Sequence, residues 1–166
     1  MKTLIFWLLL IIDCYCRQIY FEELNYWPKE KSKVIDYGSM RLTRSRDKKF
    51  FYFKGSFTLL NSLANEKLVI LELHKKDAII LRTIKPFCEF IRTETEFWPK
   101  LSRNSNMPKN NPCPFPSGRY TVQKFSIKFS RKLVEPLNNG KYTMTIIMQQ
   151  AGNDLLKYMI VFSIKN

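Results

Sequence analysis

The sequence is poor in histidine, glycine, acid and long apolar runs, and each scarcity removes a class of function. One histidine, His74, occurs in 166 residues, so a histidine metal centre or triad has a single imidazole to draw on. Five glycines form no Gly-x-Gly-x-x-Gly run, no phosphate loop and no nucleophile elbow. Their scarcity also argues against a repeat fibre. No Asn-x-Ser/Thr acceptor for N-glycosylation occurs. Among the acids nothing singles out a glycosidase-like carboxylate pair. Glu94 and Glu96 are two apart, hence on different sides of a helix. The expectation is a protein without enzymatic activity, metal or cofactor.

No apolar run reaches the roughly 20 residues that cross a bilayer. The run Leu4 to Ile12 follows a positive Met1-Lys2 start, and Cys14-Tyr15-Cys16 puts small residues where a signal peptidase reads. Residues 1–16 are therefore expected to be a secretory signal peptide, with 17–166 as one secreted, extracellular domain. Cleavage takes Cys14 and Cys16 and leaves Cys88 and Cys113 in an oxidising compartment. A disulfide is then the default, against two buried free thiols. Its loop of about 25 residues would contribute roughly 3 kcal/mol in the chain-entropy account.

Lys and Arg number 28 against 14 acids, a formal charge of +14. Removing Lys2 with Asp13 leaves that balance unchanged. A secreted cation of this kind is drawn to phospholipid headgroups, sulfated sugars or acidic glycolipids; the plain alternative is a solvated basic surface. Nucleic acid fits the charge but not the compartment.

The rest of the chain reads as strands. Arg17 to Leu24 could be a short first strand. Trp27 to Lys33 reads as loop, and Met40 to Lys49 as a basic edge strand and turn. Phe50 to Leu60 carries Phe51, Phe53, Phe57 and Leu59 in one phase, with Gly55 marking a bulge or close approach. Lys67 to His74 and Ala78 to Ile84 flank a short Lys75-Lys76-Asp77 loop. The period then lengthens through Phe87, Phe90, Ile91, Phe97 and Trp98. A helix is expected over Pro86 to Trp98, ended by Pro99. Arg103 to Asn111 reads as an exposed loop. The prolines around Cys113 form a rigid lead-in to a strand from Arg119 to Phe129. Tyr120 and Val122 keep one phase there, while Phe125, Ile127 and Phe129 keep the other, so a bulge belongs near Gln123-Lys124. Tyr142 to Gln149 alternates cleanly, and Leu156, Tyr158, Ile160, Phe162 and Ile164 share one face of a last strand. About seven or eight strands with one interrupting helix make an all-β fold, an antiparallel immunoglobulin-like sandwich.

Between such sheets Phe51, Phe53, Phe57, Tyr142, Met144, Ile146, Met148, Tyr158, Ile160 and Phe162 would meet. Either they pack as an ordinary core, or the sheets splay and these residues line a cavity for an apolar ligand. Arg41, Arg44, Arg46, Lys48 and Lys49 would then stand at the rim and hold an anionic headgroup or membrane. The competing reading is a basic interaction protein without a cavity, docking on an acidic receptor, glycan or membrane surface.

Cys113-Pro114-Phe115-Pro116, Gly118-x-Tyr120, Pro136 and Gly140-Lys141-Tyr142 carry a family resemblance, with Cys88 as the upstream cysteine. They resemble the pattern of insect secreted proteins related to the GM2-activator. That group includes the chemosensory B-type proteins, within the MD-2-related lipid-recognition proteins. The resemblance spans Phe50 to Asn166 and is strongest from Cys88 to Tyr142. It implies a cup-shaped sandwich that takes a lipid or small hydrophobic ligand between its sheets. It also implies presentation of that ligand to a membrane receptor and, for the chemosensory branch, a part in pheromone perception.

Overall fold

The structure, a computed structural model, describes residues 18–27, 33–93, 97–110, 113–127 and 134–165. The expected signal peptide and the pair Glu94 and Glu96 lie outside the described residues. The strands are β1 (Gln18–Trp27), β2 (Ile35–Asp36), β3 (Arg41–Arg44), β4 (Phe51–Leu59), β5 (Lys67–Lys75) and β6 (Ala78–Pro86), followed by β7 (Gly118–Ile127), β8 (Gly140–Gln150) and β9 (Asn153–Lys165). Helices α1 (Phe87–Thr93) and α2 (Phe97–Arg103) stand between β6 and β7. All pairings are antiparallel, in a five-stranded sheet ordered β1-β9-β8-β5-β6 and a smaller one centred on β4. β2 and β3 pair with β4 at its two ends, and β7 pairs with it along its length. The expected all-β class holds.

Register makes the alternation three-dimensional. Across β5, β8 and β9, Leu71 meets Ile146 and then Tyr158, Leu73 meets Met144 and then Ile160, and Tyr142 meets Phe162. Partners directly opposite share a face, so these apolar rows all turn toward the smaller sheet. β4 answers with Phe51, Phe53, Phe57 and Leu59. The phase change in β7 is a bulge: Val122 pairs with Gly55 and Phe125 with Phe53, so Gln123 and Lys124 stand opposite Lys54 alone. Gly55 is fixed by its neighbours. It sits at φ +117°, and a Cβ there would lie 2.4 Å from the Ser39 carbonyl oxygen, a contact that no side chain tolerates.

Two Gly-x-Tyr units repeat one device. The Tyr120 hydroxyl donates to the Pro116 carbonyl and the Tyr142 hydroxyl to the Asn138 carbonyl, each at 2.7 Å and each four residues upstream. Each tyrosine thereby ties the lead-in of its strand to the strand itself, as in the corner of immunoglobulin-like domains.

The helical segment differs from expectation. Pro86 closes β6 opposite Leu68; β6 is an edge strand, where a residue without an N–H is tolerated. Helix α1 ends at Thr93, and Pro99 lies inside α2 rather than ending a helix. As the third residue of α2 it occupies the first turn, where no N–H is needed. The asparagine-rich segment is no free loop either. Ser105 bridges Val122, Thr121 N–H donates to the Asn106 side chain at 2.7 Å, and Gln123 N–H donates to the Asn104 carbonyl. The segment thus covers the outer edge of β7, and Met107 is buried beneath it. β1 runs on to Trp27, past the expected end at Leu24.

A candidate ligand cleft at the seam between the sheets

The buried side chains form two clusters. One gathers Phe57 and Leu59 of β4, Cys88 and Ile91 of α1, Leu101 of α2, Phe115, and Tyr120 and Val122 of β7. An aromatic chain runs through it: Trp98 to Phe115 at 5.2 Å, Phe115 to Tyr120 at 5.2 Å and Tyr120 to Phe57 at 5.6 Å. Here the Cys88–Cys113 disulfide is formed, with Cα atoms 5.7 Å apart, and it ties α1 to the segment leading into β7. The other cluster gathers Phe21, Phe51, Leu73, Val134, Tyr142, Met144, Ile160, Phe162 and Ile164. Among the described residues Phe51 is the one buried side chain that the smaller sheet supplies to it.

A cleft of about 500 Å³ opens between β3 of the smaller sheet and β1 and β9 of the larger. Its apolar lining comes from both clusters. Tyr37, Met40 and Tyr158 pack against the first, and Leu24, Leu42 and Phe51 belong to or pack against the second. The cleft therefore marks the seam where the two halves of the core meet. The Tyr158 hydroxyl donates to that of Tyr37 at 2.9 Å, with the rings edge-on at 6.5 Å.

The cleft is basic at its mouth. Arg41 and Arg44 both line it. Leu42 and Arg44 share the inward phase of β3, so the Arg44 guanidinium crosses to the other sheet. Its Nη1 donates to the Glu22 carbonyl and, at 3.4 Å, to that of Phe21. The Phe21 N–H in turn donates to the Lys48 carbonyl at 2.7 Å. These contacts bridge the sheets beside the cleft, where β1 departs from regular register between Phe21 and Glu23. Glu22 also lines the cleft. Its carboxylate lies 2.9 Å from the Lys141 ammonium, and that hydrogen bond holds the carboxyl below its ordinary range while raising Lys141.

Of the ten residues expected to line a cavity, Phe51 and Tyr158 line this cleft. Phe57, Tyr142, Met144, Met148, Ile160 and Phe162 are buried in the two clusters, and Phe53 and Ile146 are half-buried against them. Of the five expected rim residues, Arg41 and Arg44 reach the cleft. Arg46, Lys48 and Lys49 stand exposed on the turn after β3. In that turn the Ser45 hydroxyl and the Lys49 N–H hold the Asp47 carboxyl below its ordinary range. Sequence reasoning missed Glu22, Leu24, Tyr37, Met40, Thr43 and Leu42 as lining residues. The alternation of Leu42 with Arg44 was a usable signal for the last. His74 lies at the end of β5, 3.2 Å from Glu72. Among the described residues no group of three or more His, Cys, Asp or Glu could hold a metal, and no helix is long and apolar enough to cross a membrane.

Residues 71–144 match a family described as "Protein of unknown function (DUF1091)". No curated protein matches the chain. Among solved structures, chicken MD-1 complexed with lipid IVa is similar at 13% identity and a TM-score of 0.40, over 89% of this chain and 96% of that one.

Proposed function

We propose that this chain is a secreted, non-enzymatic binding protein for a lipid or small hydrophobic ligand with an anionic head. The observation that carries the reading is the cleft: six apolar or aromatic side chains at a seam of the core, with Arg41 and Arg44 at its mouth. The headgroup pairs with these guanidiniums, which suit bidentate contacts to carboxylate or phosphate. The apolar tail runs inward past Tyr158 toward Ile146, half-buried against both clusters, and Phe53, half-buried against the first. In the chemosensory setting that the sequence motifs imply, the ligand is pheromone-like, and a membrane receptor or anionic membrane surface receives it.

The test is native mass spectrometry of the secreted protein before and after organic extraction, joined to titration with a fluorescent fatty acid and its uncharged alcohol analogue. A releasable apolar mass is expected, with the acid bound more tightly than the alcohol. Arg44→Gln should weaken the acid about tenfold and leave the alcohol nearly unchanged. A protein that carries no extractable mass and takes up neither probe would overturn the reading.

A further inference from the structure

The outward face of the smaller sheet differs in charge from that of the larger. β3, β4 and β7 place Arg41 opposite Lys54, and Arg119 opposite Thr58. Lys124, at the bulge, lies with its ammonium 4.5 Å over the ring of Tyr52, the outward neighbour of Lys54 on β4. All four cations are exposed. Among the described residues none is in an ion pair. The face carries one described acid, Asp36, paired in register with Thr58 at its far end, and the Gly38 N–H donates to that carboxylate. The five-stranded sheet carries carboxylates among its cations: Arg82 is paired with Glu72 and Lys141 with Glu22, while Lys157 and Lys165 of β9 are in no ion pair among the described residues.

Cations left without carboxylates on one flat face select a polyanion. Neighbouring strands lie about 4.8 Å apart, so Arg41, Lys54 and Lys124 span about 10 Å across the sheet, with Arg119 roughly 15 Å along β7. Thr121 stands between them and Thr43 and Ser126 flank them opposite Tyr52, all three in the outward phase. Membrane docking calls for apolar side chains that enter the lipid. The exposed aliphatics instead gather on β5 and β6 of the other sheet, with Leu60 beyond the Asp36 end of this face.

We propose that this face binds a linear sulfated polysaccharide laid across β3, β4 and β7, held chiefly by Lys54, Arg119 and Lys124, which lie outside the cleft that Arg41 also lines. The test uses the full mature chain on immobilised heparin. Lys54→Gln, Arg119→Gln and Lys124→Gln together should elute at much lower salt. The slope of log affinity against log salt should become shallower by about two to three, by the counterion-release reasoning developed for nucleic acids. Removing equal charge elsewhere, with Lys76→Gln, Lys157→Gln and Lys165→Gln, should leave retention near wild type. The charge-keeping set Lys54→Arg, Arg119→Lys and Lys124→Arg should also be retained, which separates lost charge from lost folding. Equal losses in the two glutamine sets would overturn the proposal in favour of bulk net charge. Equal binding to desulfated heparin, or tighter binding to phosphatidylserine vesicles than to heparin, would also overturn it.

Discussion

The two halves of the core are held by different means. The half around Phe115 is closed by two helices, a disulfide and a chain of edge-on and tilted rings, and both sheets supply it. Among the described residues the half around Phe162 is built mostly by the five-stranded sheet, and Phe51 is its one buried residue from the smaller sheet. The disulfide and both helices brace one half, and the cleft lies at the seam between the two. The division places the proposed ligand site where the braced half meets the other.

The sharpest way to break the comparison is Phe51→Ala. The ring packs 4.9 Å from Phe21 across the sheets. Its loss should cost about 3–5 kcal/mol and shift the denaturant midpoint more than any other change considered below. A cost under about 1 kcal/mol would mean that the smaller sheet is not needed to close that half. The disulfide comes next. The double variant Cys88→Ser with Cys113→Ser should lose about 3 kcal/mol. If the braced end is separate from the cleft, fatty-acid affinity of the folded fraction should stay unchanged. A parallel loss of affinity would show that the two halves move together.

The pair Tyr120→Phe and Tyr142→Phe makes a gentler comparison, since each removes one hydroxyl that donates to a carbonyl four residues back. Each should cost about 1 kcal/mol. Tyr120 stands in the disulfide-braced half and Tyr142 in the other. Amide exchange should therefore spread further from Tyr142→Phe than from Tyr120→Phe. Equal spread would remove the claimed difference in bracing.

The strands were legible because a half-buried strand writes its two faces into alternate residues. Tyr142 to Gln149 and Leu156 to Ile164 show this, and the break of phase between Val122 and Phe125 located a bulge to the residue. The disulfide followed from counting cysteines once a signal peptide is set aside. The helices were less legible: Pro86 and Pro99 both permit either a strand end or a first helical turn, and only packing chooses. The cleft was least legible. Its lining is drawn from β1, β3, β4, β9 and the β2–β3 connection, segments brought together by two sheets meeting, and no local period records that meeting. The even placement of β2 and β3 on one edge of β4 was hidden for the same reason.

The smallest effect lies at the cleft mouth and is read through pH. The Lys141 ammonium holds the Glu22 carboxyl below its ordinary value, and Glu22 raises Lys141. A depressed carboxyl contributes stability above its unfolded pKa and loses it as pH falls through the folded value. A raised lysine contributes below its unfolded pKa and loses it as pH rises through the folded value. The pair should therefore act fully between the ordinary values of 4.5 and 10.5 and fade outside them. Both partners are solvent-accessible, so the effect on the melting temperature is small. Glu22→Gln should lower the melting temperature slightly at pH 7, and the difference from wild type should shrink steadily as pH falls below 4.5. Because Glu22 is also an acid beside Arg44 in the cleft, the same variant should tighten binding of an anionic amphiphile while leaving its alcohol analogue unchanged. Tightening of both probes alike would assign Glu22 a steric part at the mouth and leave the two arginines as the source of head selectivity.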